Sequence, residues 1–122
     1  MNEECIAGCY RFKKDEFFYT GHFPDHPITP GVIILEAMIQ LGLAAFCIYL
    51  GSLEDENPSK YKTIFTDGGI ELFEPIFPGE YVTIRAEKIF WRHKKIRSKI
   101  EMFLENGLLA ATSVASGMAV LK

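Results

Sequence analysis

The clearest pattern along the chain is an alternation of apolar and polar residues in its C-terminal half. In the segment 96–105, we expect every second residue to be buried, and most of the residues between them carry a charge. A period of two is typical of an antiparallel strand with one face on a core. The same reasoning predicts strands at 61–65, 69–73, 81–91 and 108–121, separated by turn signals at Pro78-Gly79, at 92–95 and at Asn106-Gly107.

A different pattern precedes these strands. The segment 32–50 is apolar apart from Glu36, Gln40 and Gly42. Because Thr29 can cap a helix and proline is tolerated in its first turn, the sequence predicts a helix from about Gly31 to about residue 51. Its uncharged part is shorter than the roughly 20 residues that cross a bilayer, so we expect a core helix and no membrane span. Since nearly all of its sides are apolar, we expect it to be enclosed.

A short strand region, one long helix and a meander of long strands together predict a single α+β domain over 1–122. In this hot-dog fold, a curved antiparallel sheet of five to six strands wraps around a long central helix. The 122 residues suffice for one core. The net charge of -3 excludes an overall positive field for nucleic acid. Three cysteines, an odd number, and the absence of a readable export signal predict a cytoplasmic protein.

Candidate chemistry is concentrated in residues 21–40, GHFPDHPITPGVIILEAMIQ. Glu36 and Gln40 lie one helical turn apart and therefore share a face. A carboxylate in an apolar helix is costly unless it is paired, protonated or useful, and burial would keep it as an acid. Histidine is a suitable base near neutral pH, so His22 and Glu36 could serve an elimination. Either residue alone could instead be structural, as a turn residue or as a partner of a backbone group.

These residues resemble a known family. Gly21-His22-Phe23-Pro24, Pro30-Gly31-Val32 and Glu36-Ala37-Met38 with Gln40 are similar to the signature of the β-hydroxyacyl-acyl carrier protein dehydratases, the FabZ/FabA family. The stretch 73–80, FEPIFPGE, resembles that family's proline–glycine segment before its long strands. The likeness covers about residue 17 to the C-terminus.

The resemblance implies roles for individual residues. His22 would take the proton beside the thioester carbonyl, and Glu36 would assist departure of the hydroxyl as water. The backbone N–H groups of Gly31 and Val32 would polarise the carbonyl. Supporting residues would be Phe23, Gln40 and Gly69. Glutamate at position 36, where the isomerising branch has aspartate, favours plain dehydration to a trans-2-enoyl thioester in fatty-acid or related lipid or polyene biosynthesis.

The resemblance also implies partners and no cofactor or metal, since the substrate travels on the phosphopantetheine of an acidic acyl carrier protein. Its docking site is expected among basic residues, with solvated charge as the alternative: Arg92, Lys94, Lys95, Arg97, with Lys99, Arg11, Lys13 and Lys14. The family's site is shared between the subunits of a homodimer, which could assemble further into a trimer of dimers. Aromatic residues could line an acyl tunnel or belong to the core: Phe17, Phe18, Phe23, Phe65, Phe77 and Trp91.

Two features of the sequence depart from the family pattern, one in the N-terminal strand and one at residues 66–69. Little sequence precedes residue 17, so the N-terminal strand is expected to be trimmed. Thr66-Asp67-Gly68-Gly69 replaces the family's usual glycine, hydrophobic and acidic residues, so Gly68 or Gly69 would have to make the backbone contact there. Two rival functions share the fold: an acyl thioesterase, and a non-catalytic protein that binds acyl thioesters. Acyl chain length, the identity of the carrier and the pathway are left open.

Overall fold

The computed structural model of the protein describes residues 4–12, 29, 31–53, 61–77 and 79–121. Its described part contains five strands and one long helical segment. The strands are β1 (Cys5–Arg11), β2 (Tyr61–Leu72), β3 (Tyr81–Arg92), β4 (Lys95–Leu104) and β5 (Leu109–Leu121). The helical segment, called the central helix below, consists of α1 (Gly31–Ile39), a π-helical segment (Gln40–Ala45) and α2 (Phe46–Leu53). The predicted hot-dog combination of one long helix and a meander of long strands is confirmed.

All five strands form one antiparallel sheet in the order β1-β3-β4-β5-β2. The alternation predicted for β4 is confirmed, because Ile96, Ser98, Ile100 and Met102 are buried while the residues that alternate with them are more exposed. These side chains meet the buried face of the central helix, which supplies Met38 and Phe46. The core therefore lies in one layer between the sheet and the helix.

Two hairpin turns follow the turn signals in the sequence. His93 and Lys94 join β3 to β4 with positive φ angles of 49° and 59°, the backbone that a tight two-residue hairpin needs. Gly107, with φ 88°, joins β4 to β5, and the side-chain oxygen of Asn106 accepts a hydrogen bond of 3.0 Å from the backbone N–H of Leu108. Asparagine and glycine tolerate such conformations better than other residues. The predicted hairpins are confirmed.

The predicted short strand region is β1, which has seven residues and pairs with β3 over its whole length, from Cys5 opposite Glu87 to Arg11 opposite Tyr81. Its burial pattern is irregular, since Gly8 and Ala7 carry little apolar surface. A weak alternation with small residues is a poor strand signal, which explains why the sequence predicted only a short strand region here.

The two runs predicted at 61–65 and 69–73 are a single strand, β2. The change of pattern between them is a β-bulge, because the register with β5 shifts between Phe65 and Asp67. A bulge places one extra residue in one strand and reverses which side chains face the core. The residues 66–68, which separate the two predicted strands, are thus part of one edge strand.

The sequence predicted that the central helix is enclosed on every side, and this prediction is wrong. In the span Ile33–Gly51, which is long and apolar enough by composition to cross a membrane, 39% of the residues are buried. The sheet covers one face, with Ile34, Met38 and Leu43 fully or almost fully buried, while Glu36 and Ile48 are exposed. Packing on the sheet is the behaviour of a core helix, and one side of it is open.

Candidate active site

The start of the central helix is fixed by contacts with the segment that follows β2. The backbone N–H of Thr29 donates a hydrogen bond of 2.8 Å to the carbonyl of Ile76, and both residues are buried. Gly31, the first residue of α1, lies so close to Leu72 that a Cβ there would be 3.3 Å from a Leu72 methyl carbon. The first helical turn, which begins at Gly31, therefore lies against the end of β2. Its first N–H groups have no partner within the helix and are the natural donors for a ligand.

Glu36 and Gln40 meet as predicted from their spacing. The Gln40 side-chain nitrogen donates a hydrogen bond of 2.8 Å to a Glu36 carboxylate oxygen. Both side chains are exposed, which corrects the expectation that Glu36 is buried among apolar residues. The reason is that the sheet covers only the opposite face of α1. Within one chain the carboxylate stands at the surface, oriented by the amide of Gln40.

Gln40 also borders a groove between the central helix and β1. The groove is open and has a volume of about 210 Å³. It is lined by Gly8, Cys9, Tyr10, Ala37, Gln40, Leu41 and Ile84. No pattern in the sequence predicted that β1 borders this groove. The signal that could have found it is Gly8, where a Cβ would lie 3.2 Å from a methyl carbon of Leu41, so that glycine keeps the strand close to the helix.

Gly69 lies on the edge strand β2, opposite Val114 of β5. Its carbonyl accepts a hydrogen bond of 2.5 Å from the hydroxyl of the buried Ser113, and among the described residues no other heavy atom lies within 4 Å of the place where a Cβ would be. Gly68 is much more tightly packed than Gly69. Its φ is +149°, and a Cβ would lie 2.6 Å from that of Ala115. Of the two glycines that the sequence left as alternatives, Gly69 has the more open surroundings and Gly68 is required by packing.

This contrast gives a stability prediction. Gly68→Ala should lower the free energy of unfolding by about 1–3 kcal/mol, because it combines overpacking with an unfavourable backbone conformation. Gly69→Ala should change it by no more than about 0.5 kcal/mol, as is usual for an exposed position. Urea denaturation of both variants measures the difference. Equal destabilisation would contradict the assignment of Gly68 as the tightly packed glycine.

Four of the basic residues proposed for carrier docking, Arg92, Lys94, Lys95 and Arg97, are grouped at or beside the β3–β4 hairpin, away from the start of the central helix. Arg11 lies at the other end of β3, over the ring of Tyr81. Arg92 lies over the ring of Phe90, with 4.9 Å from its guanidinium carbon to the ring centre. Arg97 donates a hydrogen bond of 2.8 Å to the Ser116 hydroxyl and lies 3.4 Å from a carboxylate oxygen of Asp67. Lys95 is exposed and Lys94 forms the turn. The helix begins at the opposite end of the sheet, beside Leu72 and Ile76, so the structure does not bring these residues to Glu36.

The aromatic residues named for an acyl tunnel are also scattered. Phe65 is exposed on β2, Phe77 is exposed between β2 and β3, and Trp91 packs against the core beside the β3–β4 hairpin. His22 and Phe23, together with Phe17, Phe18, Lys13 and Lys14, lie outside the described residues. Among the residues that are described, no group of three or more His, Cys, Asp or Glu side chains could hold a metal ion.

Solved structures define the fold class. A thioesterase superfamily member from Thermus thermophilus aligns with a TM-score of 0.73 at 14% identity, over 97% of this chain and 82% of the other. A hot-dog-like protein from Thermanaerovibrio acidaminovorans aligns with a TM-score of 0.71 at 12% identity, over 97% and 82%. At such low identities these similarities establish a hot-dog fold and no activity.

The family follows from the sequence comparisons. Residues 2–111 match the model of the FabA-like domain, and the chain belongs to this family. A protein from Geotalea uraniireducens named 3-hydroxyacyl-[acyl-carrier-protein] dehydratase FabZ is 41% identical over 74% of this chain and 59% of its own length. One of the same name from Koribacter versatilis is 32% identical over 93% of this chain and 70% of its own length. The chain thus aligns with 59–70% of the length of these relatives.

Proposed function

We propose that the protein is a 3-hydroxyacyl-[acyl carrier protein] dehydratase that forms a trans-2-enoyl thioester in fatty-acid or related lipid biosynthesis. The observation that carries the proposal is the Glu36–Gln40 pair, held at 2.8 Å on the exposed face of the helix whose first turn is Gly31-Val32. Membership of the FabA-like family and the FabZ relatives support it. We place the reaction in the cytoplasm, with no cofactor beyond the phosphopantetheine arm that carries the substrate.

The proposed reaction is a β-elimination. His22 takes a proton from the carbon beside the thioester carbonyl, and the electrons of that C–H bond form the new C=C bond. The C–O bond to the β-hydroxyl breaks, and Glu36 supplies the proton with which the hydroxyl leaves as water. The N–H groups of Gly31 and Val32 stabilise the charge that develops on the carbonyl oxygen. Gln40 orients the Glu36 carboxylate, while Phe23 and Gly69 support the site.

The proposed assembly is a homodimer that pairs its β2 strands. β2 is a twelve-residue edge strand, and its apolar residues Ile64, Phe65 and Leu72 are 41–49% exposed. A long apolar edge is a template for pairing with another strand, and a two-fold axis would place a second β2 there. The second subunit would lie beside the open face of the central helix and could bring its own His22 to Glu36. Dimers could assemble further into a trimer of dimers.

An acyl carrier protein would dock on the basic residues at the β3–β4 hairpin, Arg92, Lys94, Lys95 and Arg97, of which Arg92 and Lys95 are exposed. These residues are far from Glu36 in their own chain. In a dimer the hairpin of one subunit and the helix start of the other can border the same entrance, because a two-fold axis reverses the direction of the second sheet. The attraction would be electrostatic and would weaken as salt is added.

The test is to supply the purified protein with 3-hydroxybutyryl and longer 3-hydroxyacyl thioesters on acyl carrier protein and on coenzyme A. The absorbance of the conjugated enoyl thioester should rise, and should fall again when the reaction is run from the enoyl side. Release of free thiol without enoyl formation would replace the proposal with a thioesterase. Binding of acyl thioesters with no turnover would replace it with a non-catalytic acyl-binding protein.

A further inference from the structure

The apolar residues of the central helix pose a geometric conflict. Leu43, Cys47 and Leu50 follow Glu36 by seven, eleven and fourteen positions. At about 100° per residue, an unbroken α-helix would place all three within roughly 40° of Glu36 around the helix axis. Yet Leu43 is 0% exposed and the other two are 3% exposed, whereas Glu36 is at the surface.

The π-helical segment resolves the conflict. At its end the backbone N–H of Phe46 is shared between the carbonyls of Leu41, five residues back, and Leu43. Each turn of a π-helix holds more residues than an α-turn, so the part of the helix after the segment is rotated relative to the part before it. Because of this rotation, α2 buries Phe46, Cys47 and Leu50 while α1 keeps Glu36 and Gln40 pointing away from the sheet.

Two residues fix the segment to the sheet. Gly42, at its centre, lies so close to β4 that a Cβ would be 2.5 Å from the terminal methyl carbon of Ile100. Ser98 of β4 is 0% exposed, and its hydroxyl donates a hydrogen bond of 2.8 Å to the Gly42 carbonyl. A buried hydroxyl needs a partner, and this one bonds to the helix rather than to its own sheet. Gln40, the partner of Glu36, is the first residue of the segment.

We infer that Ser98 and Gly42 are positioning residues: they hold the π-helical segment and thereby fix the direction in which the Glu36–Gln40 pair faces. The inference rests on the proposed function, in which Glu36 is the acid of the dehydration. A proton donor contributes only when it lies within hydrogen-bond reach of the leaving group, so a small rotation of the helix is costly for catalysis. Loss of the Ser98 bond should therefore act on the rate through Glu36.

The experiment compares Ser98→Ala with Thr112→Val. The Thr112 hydroxyl also donates to a backbone carbonyl, that of Ile100, at 3.3 Å, but this bond stays within the sheet and does not touch the helix. Ser98→Ala should lower kcat for dehydration at least tenfold with little change in KM, and Thr112→Val should lower it less than twofold. Ser98→Cys, which keeps a weak donor of similar size, should fall between wild type and Ser98→Ala.

A double-mutant cycle separates positioning from general damage. In the Glu36→Ala background, Ser98→Ala should cause no further fall in the remaining activity, because its effect passes through Glu36. An equal fold-loss in both backgrounds would overturn the inference, and so would a kcat for Ser98→Ala within twofold of that for Thr112→Val.

A second readout is independent of turnover. The NMR signals of the Gln40 side-chain amide should shift in Ser98→Ala and remain unchanged in Thr112→Val. If the wild-type protein forms no enoyl thioester, the proposed function fails while this measurement still decides whether Ser98 positions the pair. Unchanged Gln40 signals in Ser98→Ala would overturn the positioning role.

Discussion

Glu36→Gln should lower kcat for dehydration about 10²- to 10⁴-fold, the usual contribution of a positioned acid or base. Glutamine keeps the length of the side chain and can still meet Gln40, but it cannot donate the acidic proton that the departing hydroxyl requires. Because the side chain is exposed within the chain, the variant should unfold at nearly the same urea concentration as the wild type. His22→Ala should have an effect of similar size, since the elimination needs both groups.

A matched control is Glu87→Gln. Glu87 is a glutamate of similar exposure on β3, where its carboxylate lies 3.2 Å from the guanidinium of Arg85. Its loss removes one surface ion pair, which contributes little to stability, and should leave kcat within twofold of wild type. A Glu36→Gln variant that behaves like Glu87→Gln would mean that Glu36 is not the acid.

The parts of the fold that the sequence predicted are those in which local pattern and tertiary structure agree. β4 alternates strictly because one face meets the helix and the other meets solvent. Asn106-Gly107 marks a hairpin because glycine accepts the positive φ of position 107 and the Asn106 side chain bonds to the backbone N–H of Leu108. β1 was predicted only as a short strand region because small residues weaken its alternation. The bulge in β2 was read as a gap between two strands, since an extra residue interrupts the period of two.

Of the candidate site, the sequence predicted that Glu36 and Gln40 share a face of the helix, and it did not predict their surroundings. Their spacing was enough for this, because side chains one helical turn apart are neighbours on the helix surface. Their exposure could not be predicted. Counting apolar residues along 32–50 suggested burial on all sides, but it assumed one continuous α-helix. The π-helical segment, which depends on the tertiary contact between Ser98 and Gly42, divides the apolar residues between two faces.

The exposed face of α1, which carries Glu36 and Gln40, is the basis of a second prediction with a large effect on activity. Mixing two inactive variants, His22→Ala and Glu36→Ala, should restore about a quarter of wild-type activity after the subunits exchange. If each site takes its histidine from one subunit and its acid from the other, a mixed dimer contains one intact site and one doubly substituted site. Half of the dimers are mixed at random assortment, and half of their sites are intact, which gives the quarter.

The result distinguishes a site shared between two subunits from a site within one chain, because mixing the variants cannot restore a site that lies within one chain. Activity should appear at the rate of subunit exchange, and it should be absent when the variants are mixed and assayed faster than they exchange. Mixing either variant with a chain that carries both substitutions is the control, because no combination there yields an intact site. Restoration in the first mixture and none in the control would mean that the exposed face of α1, with Glu36 and Gln40, is completed by a second copy of the chain. No restoration despite demonstrated exchange would place His22 and Glu36 of one site in the same chain.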